Sequence, residues 1–225
     1  MAYDASMDTE HVQSRADRRL RTEERILTAA GDLFLDLGYR ATTVREIAKR
    51  AEVSTGRVMA AGDKDVLLVR CFDRWIAGLQ SGRYSPPQRW SGRASDVEGH
   101  ERLRGASALA ATSAVHQHLL EIFLPFLEFF AAHEDLSRDY AAALMRVRGR
   151  PQVFDVLAAD LQEKLSSNLI SIGINEDYAR ASAAVLYDSY LGIVFRWGAS
   201  DLGFDEAVAA LSRIVAFHTH VRRFG

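Results

Sequence analysis

TVREIAKRAEVSTGRVMAAGDK, residues 43–64, carries the signals of two short helices joined by a tight turn. Thr43 and Glu46 have the spacing of a capping box, which predicts that the first helix starts at Thr43. Ser54 is a good N-cap for the second helix, and Gly62 ends it. Two short capped helices of this kind are typical of a helix-turn-helix whose second helix enters the major groove of DNA.

A longer helix is predicted on each side of this pair. The helix before it starts at Thr22, whose hydroxyl can cap free amide groups. Glu23 and Glu24 suit the positive end of the helix dipole, and Gly38 ends this helix. Asp63 caps the helix that follows, in which apolar residues recur with helical spacing.

The remaining patterns are also helical, so we predict an all-α fold in three segments. Residues 1–21 lack apolar periodicity and are predicted to be a flexible basic arm. Residues 22–68 form a helix-turn-helix DNA-binding domain, and residues 69–225 form a larger helical regulatory and dimerisation domain. Glycine, proline and serine predict a flexible loop at about 81–99. Later helices are expected at about 99–113, 115–132, 135–147, 151–172, 176–199 and 205–222, with Pro125 kinking or dividing the second.

The composition is that of a globular protein. The chain has 225 residues, of which 48% are hydrophobic, and a formal net charge of −2. It contains no long uncharged apolar run, so we expect a cytoplasmic protein without a membrane span. Positions 40–57 hold five Lys and Arg residues against two Glu, although this excess alone would also fit a solvated charged face. The single cysteine, Cys71, fits a small buried residue better than a reactive thiol.

A set of spaced residues runs in order and without a gap from the first predicted helix to the fourth. It comprises Thr22–Ala30, Phe34, Gly38, Tyr39, Thr42–Val44, Glu46–Ala48, Ala51, Val53, Ser54, Gly56 and Lys64. This set resembles the N-terminal domain of the TetR (tetracycline-repressor) family over about residues 20–70, and it is more specific than one short motif. The resemblance implies a bacterial, ligand-responsive transcription regulator, by default a repressor, with Thr55–Ala61 as its recognition helix.

The chain departs from the family pattern at three places that concern DNA reading. Met59 stands where the family usually has an aromatic residue that contacts DNA, and Gly62 stands where it has a Phe that packs the recognition helix. Glu52 replaces a common turn glycine, at a cost of about 1 kcal/mol if its backbone is left-handed. We therefore predict a read-out of double-stranded operator DNA that depends on Arg57, Thr55 and the N-terminal arm.

Eight residues are candidate DNA contacts. Arg57 has a planar fork of donors that can pair with a guanine edge or with phosphate. The resemblance implies phosphate contacts for Lys64 and for the helix starts at Thr43 and Ser54, for which capping alone is the alternative. The candidates are Arg40, Thr43, Arg45, Ser54, Thr55, Arg57, Met59 and Lys64.

The last two predicted helices are apolar nearly all round, so they need cover on two sides. In the TetR family the corresponding helices pair with those of a second subunit, which implies a homodimer. The alternative is that both helices are interior to a monomer. One short recognition helix also reads too few bases by itself, which favours two copies. The predicted interface residues are Leu186, Tyr190, Ile193, Trp197, Val208, Leu211 and Val215.

The middle helices are rich in aromatic residues. Most such residues pack the core of any protein, but the resemblance implies that this region holds a ligand pocket. A small, apolar or aromatic effector is therefore expected. The candidate lining residues are Phe123, Phe126, Phe130, Tyr140, Phe154 and Tyr187.

Two other function classes compete with a regulator. The histidine pairs 116/118 and 218/220 have a spacing that points their side chains apart on a helix, and no nucleophile elbow, phosphate loop or dinucleotide-binding glycine pattern occurs. An enzyme is therefore disfavoured, and we expect no catalytic residue, metal or cofactor. Met59 and Gly62 leave open a helical dimeric ligand- or protein-binding module with weakened DNA binding.

Overall fold

The computed structural model describes residues 5–83, 114–149, 151–171, 173–200 and 202–220. Within these ranges the secondary structure is helical and contains no strand, which confirms the predicted all-α fold. The helix predicted at 99–113 and most of the loop predicted at 81–99 lie outside the described residues. None of the described helices combines the length and the apolarity needed to cross a bilayer.

Nine α-helices can be followed through the described ranges. They are α1 (Ala5–Leu37), α2 (Val44–Arg50), α3 (Thr55–Ala61), α4 (Lys64–Gln80), α5 (Ala114–Ala132), α6 (Glu134–Arg146), α7 (Val156–Ser171), α8 (Glu176–Ala199) and α9 (Phe204–His220). The predicted bounds of α3 and α8 coincide with the observed ones, because both helices have strong N-caps. The helix predicted at 151–172 is instead a short 3₁₀ turn, Gln152–Phe154, followed by α7.

The predicted start of the first helix is wrong. The first helix starts at Ala5 and not at Thr22, and the Thr22 hydroxyl donates to the carbonyl of Arg18 instead of capping. Residues 5–21 contain no Gly or Pro, and extending an existing helix costs far less than starting one. Of the two outcomes predicted for Pro125, division of α5 is wrong, because the helix continues through this residue, and a kink there is untested. The buried Phe123 and Phe126 on either side hold this helix against the core.

The chain divides into two compact units. The first contains the described residues up to Phe72 together with Ala142–Val147, and the second contains the described residues from Asp73 to Ala141 and from Arg148 onward. The boundary after Phe72 lies inside α4, as does the boundary that the sequence suggests at 68.

Each unit has its own apolar core. In the first unit, fully buried side chains from all four N-terminal helices meet: Ile26, Phe34, Ile47, Val58, Leu67 and Phe72. In the second unit, α8 packs on α7 and α9, and α9 packs on α5. Large side chains there that are fully buried include Leu119, Phe123, Leu127, Phe129, Leu165, Leu169, Leu186, Leu211 and Val215.

Candidate nucleic-acid interface

Helix α3 lies on the surface of the first unit and is held there by a single inward side chain. Val58 is completely buried, whereas Thr55, Arg57 and Met59 are exposed. Met59 is 53% exposed, although it is a large apolar residue. Because the helix turns once in 3.6 residues, one buried anchor leaves most of its circumference available to a binding partner.

The N-termini of α2 and α3 are capped as the sequence predicts. The Thr43 hydroxyl accepts from the Glu46 amide at 3.2 Å, and the Thr43 amide donates to the Glu46 carboxylate at 2.8 Å. Hydrogen bonding from the Thr43 hydroxyl and amide lowers the pKa of Glu46. The Ser54 hydroxyl accepts from the Arg57 amide at 3.3 Å. Capping is thus observed for both residues, and their contact with phosphate stays a prediction.

The turn between α2 and α3 has the strained backbone that the sequence suggested. Glu52 has a φ of 53°, which is the left-handed region that a glycine would adopt more readily. The Arg25 guanidinium donates to the carbonyl of Ala51 and, at 3.1 Å, to the carbonyl of Glu52. Arg25 also lies 3.7 Å from the Glu52 carboxylate. An arginine of α1 therefore fixes this turn, a role that sequence reasoning missed because the partners are far apart in the chain.

The C-terminus of α3 is held by a second arginine. Arg70 donates to the carbonyl of Ala61 at 3.2 Å and to the carboxylate of Glu23 at 3.2 Å. Burial by itself would raise the pKa of Glu23, but hydrogen bonds from Arg70 and Arg19 bring it below its ordinary value. Glu23 and Arg70 thus connect α1 and α4 to the end of α3, where the family usually has an aromatic side chain.

Lys64, a predicted phosphate contact, makes hydrogen bonds within the first unit. Its ammonium donates to the carbonyls of Tyr39 at 2.9 Å and Thr42 at 3.1 Å, and it lies 4.1 Å from the centre of the Tyr39 ring. An ammonium has three donors, so these two carbonyls leave one hydrogen for a further acceptor. Lys64 therefore secures the turn between α1 and α2, and its phosphate contact is untested.

An ion pair lies next to this turn. Arg146 donates to both carboxylate oxygens of Asp65, at 2.7 and 2.8 Å, and the Tyr39 hydroxyl donates to the same carboxylate. The hydrogen bonds from Arg146 lower the pKa of Asp65 to about 2, assisted by that from Tyr39. Burial and the neighbouring Asp65 raise the pKa of Tyr39 to about 12. Asp65 is thus charged and Tyr39 neutral over the whole range in which proteins are commonly studied.

The other cationic candidates point to solvent. Arg40 and Arg45 are exposed, as is Lys49 beside them. The remaining basic residue of this stretch, Arg50, lies 3.5 Å from the carboxylate of Asp32 on α1. The positive charge predicted around the helix-turn-helix is therefore presented on its surface.

Five of the six candidate ligand-pocket residues lie inside the second unit. Phe123, Phe126, Phe130, Tyr140 and Tyr187 are buried. Four of them belong to an aromatic cluster, in which Phe123 and Phe126 pack against Tyr190 and Phe130 packs against Tyr140. The ring centres lie 5.1 Å apart for Phe123 and Tyr190 and 6.4 Å apart for Phe130 and Tyr140. Burial raises the pKa of Tyr187 to about 12, and its hydroxyl donates to the carbonyl of Val153.

Phe154, the sixth candidate, is 46% exposed and so lies at the surface of the second unit, and its part in a ligand pocket stays a prediction. The buried carboxylate of Asp73 accepts from the amides of Gln152 at 3.2 Å and Val153 at 3.3 Å. These bonds turn the side chain of Val153 inward, so the next residue of the 3₁₀ turn faces outward.

The prediction that seven residues line the dimer interface is contradicted by their burial. Leu186, Tyr190, Ile193, Trp197, Val208, Leu211 and Val215 are each between 0 and 6% exposed within the single chain. Their spacing marks the stripe that faces the core of their own unit, so they cannot form the surface that a second chain touches. Exposed apolar side chains of the same helices lie elsewhere: Val185 on α8 is 49% exposed and Phe217 on α9 is 68% exposed.

Comparison with known proteins gives a family match within the first unit and fold matches over most of the chain. Residues 26–60 match the family described as bacterial regulatory proteins, tetR family. None of the curated proteins matches the chain. A transcriptional regulator from Rhodococcus sp. Rha1 is 22% identical with a TM-score of 0.54, covering 87% of this chain and 94% of its own. Thermus thermophilus FadR, a TetR family transcriptional repressor solved with lauroyl-CoA, is 22% identical with a TM-score of 0.59, and the match covers 90% of this chain and 97% of FadR.

Proposed function

We propose that this chain is a cytoplasmic, ligand-responsive repressor of the TetR type that binds operator DNA as a homodimer, because residues 26–60 match the family described as bacterial regulatory proteins, tetR family. The observation that carries the proposal is the surface position of α3, anchored by Val58 and open at Thr55 and Arg57. A helix presented in this way can enter the major groove of DNA.

Few side chains on α3 are available to contact base edges. Arg57 is exposed and has the fork geometry for a guanine edge, and Thr55 has a hydroxyl at the start of the helix. Met59 offers an apolar contact in place of the usual aromatic one. Phosphate contacts from the neighbouring surface would set the register, through Arg40, Thr43, Arg45, Ser54 and Lys64.

Capture of genomic fragments by the purified protein tests the proposal. We expect a small set of fragments to be retained selectively, with an affinity that falls as salt rises because counterions are released. Retention that is unselective at every salt concentration, or absent, would contradict it. Such a result would favour the alternative of a helical dimeric ligand- or protein-binding module with weakened DNA binding, to which Met59 and Gly62 point.

Arg57→Ala is expected to weaken binding to the selected operator by about 1–3 kcal/mol and to relax one base position. The reason is the loss of a paired donor at a base edge, which distinguishes one base pair from the other three. Gel-shift titration on operator variants measures both effects. Arg148→Ala removes an exposed arginine of the second unit and should leave affinity unchanged. Equal affinities for Arg57→Ala and the parent protein would remove Arg57 from the base read-out.

The second unit is the proposed site of effector binding and dimerisation. Its buried aromatic cluster offers an apolar lining for a small apolar or aromatic compound. A ligand that prefers one arrangement of the paired DNA-binding heads would shift the population and change operator affinity.

We expect an apolar effector to lower operator affinity by about 5- to 150-fold, which is the usual range of coupling between two sites. Lauroyl-CoA, which FadR holds, is a suitable first probe, and free coenzyme A is the control for the apolar chain. Fluorescence anisotropy of labelled operator measures the release. If operator binding is unaffected by lauroyl-CoA and by a panel of aromatic and aliphatic compounds, ligand-responsive repression is contradicted.

A further inference from the structure

One face of α1 carries arginines with helical spacing. Arg18, Arg21, Thr22 and Arg25 stand at positions i, i+3, i+4 and i+7, so they line up along the same side of the helix. The three arginines are exposed. Arg18 and Arg21 lie in the part of α1 before Thr22, for which the sequence pattern predicted a flexible arm.

This face of α1 and α3 enclose a groove of about 600 Å³. Arg57 contributes from the recognition helix, and five of the six lining residues are arginines. The lining consists of Arg18, Arg19, Arg21, Thr22, Arg25 and Arg57. The adjoining wall continues along α3 through Ala60 and Ala61.

Arg19 and Arg25 already have partners within the first unit. Arg19 lies 3.3 Å from the carboxylate of Glu23, and Arg25 donates to the backbone of the α2–α3 turn. By contrast, the side chains of Arg21 and Arg57 make no ion pair or hydrogen bond with any residue in the described part of the chain. Like charges held around one groove repel each other, so the groove favours an anionic occupant.

We infer that this groove binds phosphates of the DNA strand that borders the base pairs read by α3. The inference rests on the proposed function, because it needs α3 in the major groove. Arg57 belongs both to the exposed face of α3 and to the groove, so the two surfaces are continuous and can contact one duplex. Guanidinium groups pair with phosphate through two parallel hydrogen bonds, and contacts of this kind position a protein without reading sequence.

The salt dependence of DNA binding tests the inference with Arg18→Gln/Arg21→Gln. Each phosphate contact contributes about 0.9 to the slope of log affinity against log salt. The loss of two contacts should therefore reduce the steepness by about 1.8, on operator and on random duplex alike. When salt rises from 50 to 200 mM, the ratio of parent to variant affinity should therefore fall by about 12-fold. The variant should prefer the operator to random duplex as strongly as the parent protein does.

Arg138→Gln/Arg148→Gln removes the same charge from exposed arginines of the second unit and is the matched control. Unfolding midpoints equal to that of the parent protein would exclude a folding defect in either variant. A groove variant that binds DNA with the parent slope overturns the inference and leaves the proposed function intact. A parent protein that binds no DNA overturns both. A variant that loses operator preference without a change of slope would assign Arg18 and Arg21 to base reading, and would also overturn it.

Discussion

Gly62→Phe is expected to destabilise the helix-turn-helix unit by about 2–6 kcal/mol, although it restores the residue that the TetR family usually has there. Gly62 ends α3 with φ 148° and ψ 163°, a backbone region that is essentially restricted to glycine. A Cβ atom at this position would lie 2.5 Å from Cγ1 and 2.8 Å from Cβ of Val66. Backbone strain and overpacking each contribute about 1–3 kcal/mol.

Urea denaturation of three further variants separates the two causes. Gly62→Ala adds only the Cβ atom and should show most of the loss of stability that Gly62→Phe causes. Gly62→Ala combined with Val66→Ala removes the 2.5 Å contact with Cγ1 but keeps the 2.8 Å contact with Cβ, so part of the contact contribution to the loss should be relieved and the backbone contribution should persist. Gly56→Ala, on the same helix, is the control, because its Cβ would meet only the Ser54 hydroxyl at 4.0 Å. It should be neutral or stabilising by up to about 1 kcal/mol. Equal stability of Gly62→Ala and the parent protein would contradict the strained position of Gly62.

The missing aromatic residue has a structural replacement in this chain. Where a Phe at position 62 would pack the end of α3, Arg70 donates to the carbonyl of Ala61 and is held by Glu23. At the other end, Arg25 fixes the turn around Glu52. The departures from the family pattern are therefore accompanied by polar contacts that keep α3 in place.

Local signals in the sequence were sufficient for the helix-turn-helix. Caps act within one turn of the chain, so Thr43, Ser54 and Asp63 marked helix starts that the structure confirms. The start of α1 could not be found in this way. No cap or apolar stripe distinguishes residues 5–21, whose helicity comes from extension of the neighbouring turns.

Sequence reasoning missed two arginines of the candidate site because their partners are distant in the chain. Arg25 and Arg70 are charged residues on helices, and their spacing within α1 or α4 does not show that they bind carbonyls at the two ends of α3. Spacing within a helix also does not show which face of α8 a second subunit would cover. A helix that is apolar nearly all round, such as α8, has two candidate faces, and only packing shows that Leu186 and Tyr190 belong to the inner one.

The corrected surface leads to the prediction that Val185→Glu/Phe217→Glu is monomeric and binds operator about 100- to 10,000-fold more weakly than the parent protein. Val185 and Phe217 are the large apolar residues that α8 and α9 leave most exposed, so a second copy of the chain would cover them in the proposed homodimer. Burying an unpaired carboxylate at such a contact is unfavourable by several kcal/mol. A monomer also loses the avidity of two linked recognition helices, which commonly contributes this factor.

Sedimentation equilibrium at micromolar concentration measures the first effect, and gel-shift titration measures the second. Val156→Glu is the matched control, since Val156 is also exposed and apolar in the second unit but lies on α7. It should remain dimeric and retain operator affinity. A parent protein that sediments as a monomer would contradict the homodimer altogether. A dimeric double variant would instead place the interface on another surface, because two buried carboxylates in each subunit leave little favourable free energy for association across α8 and α9.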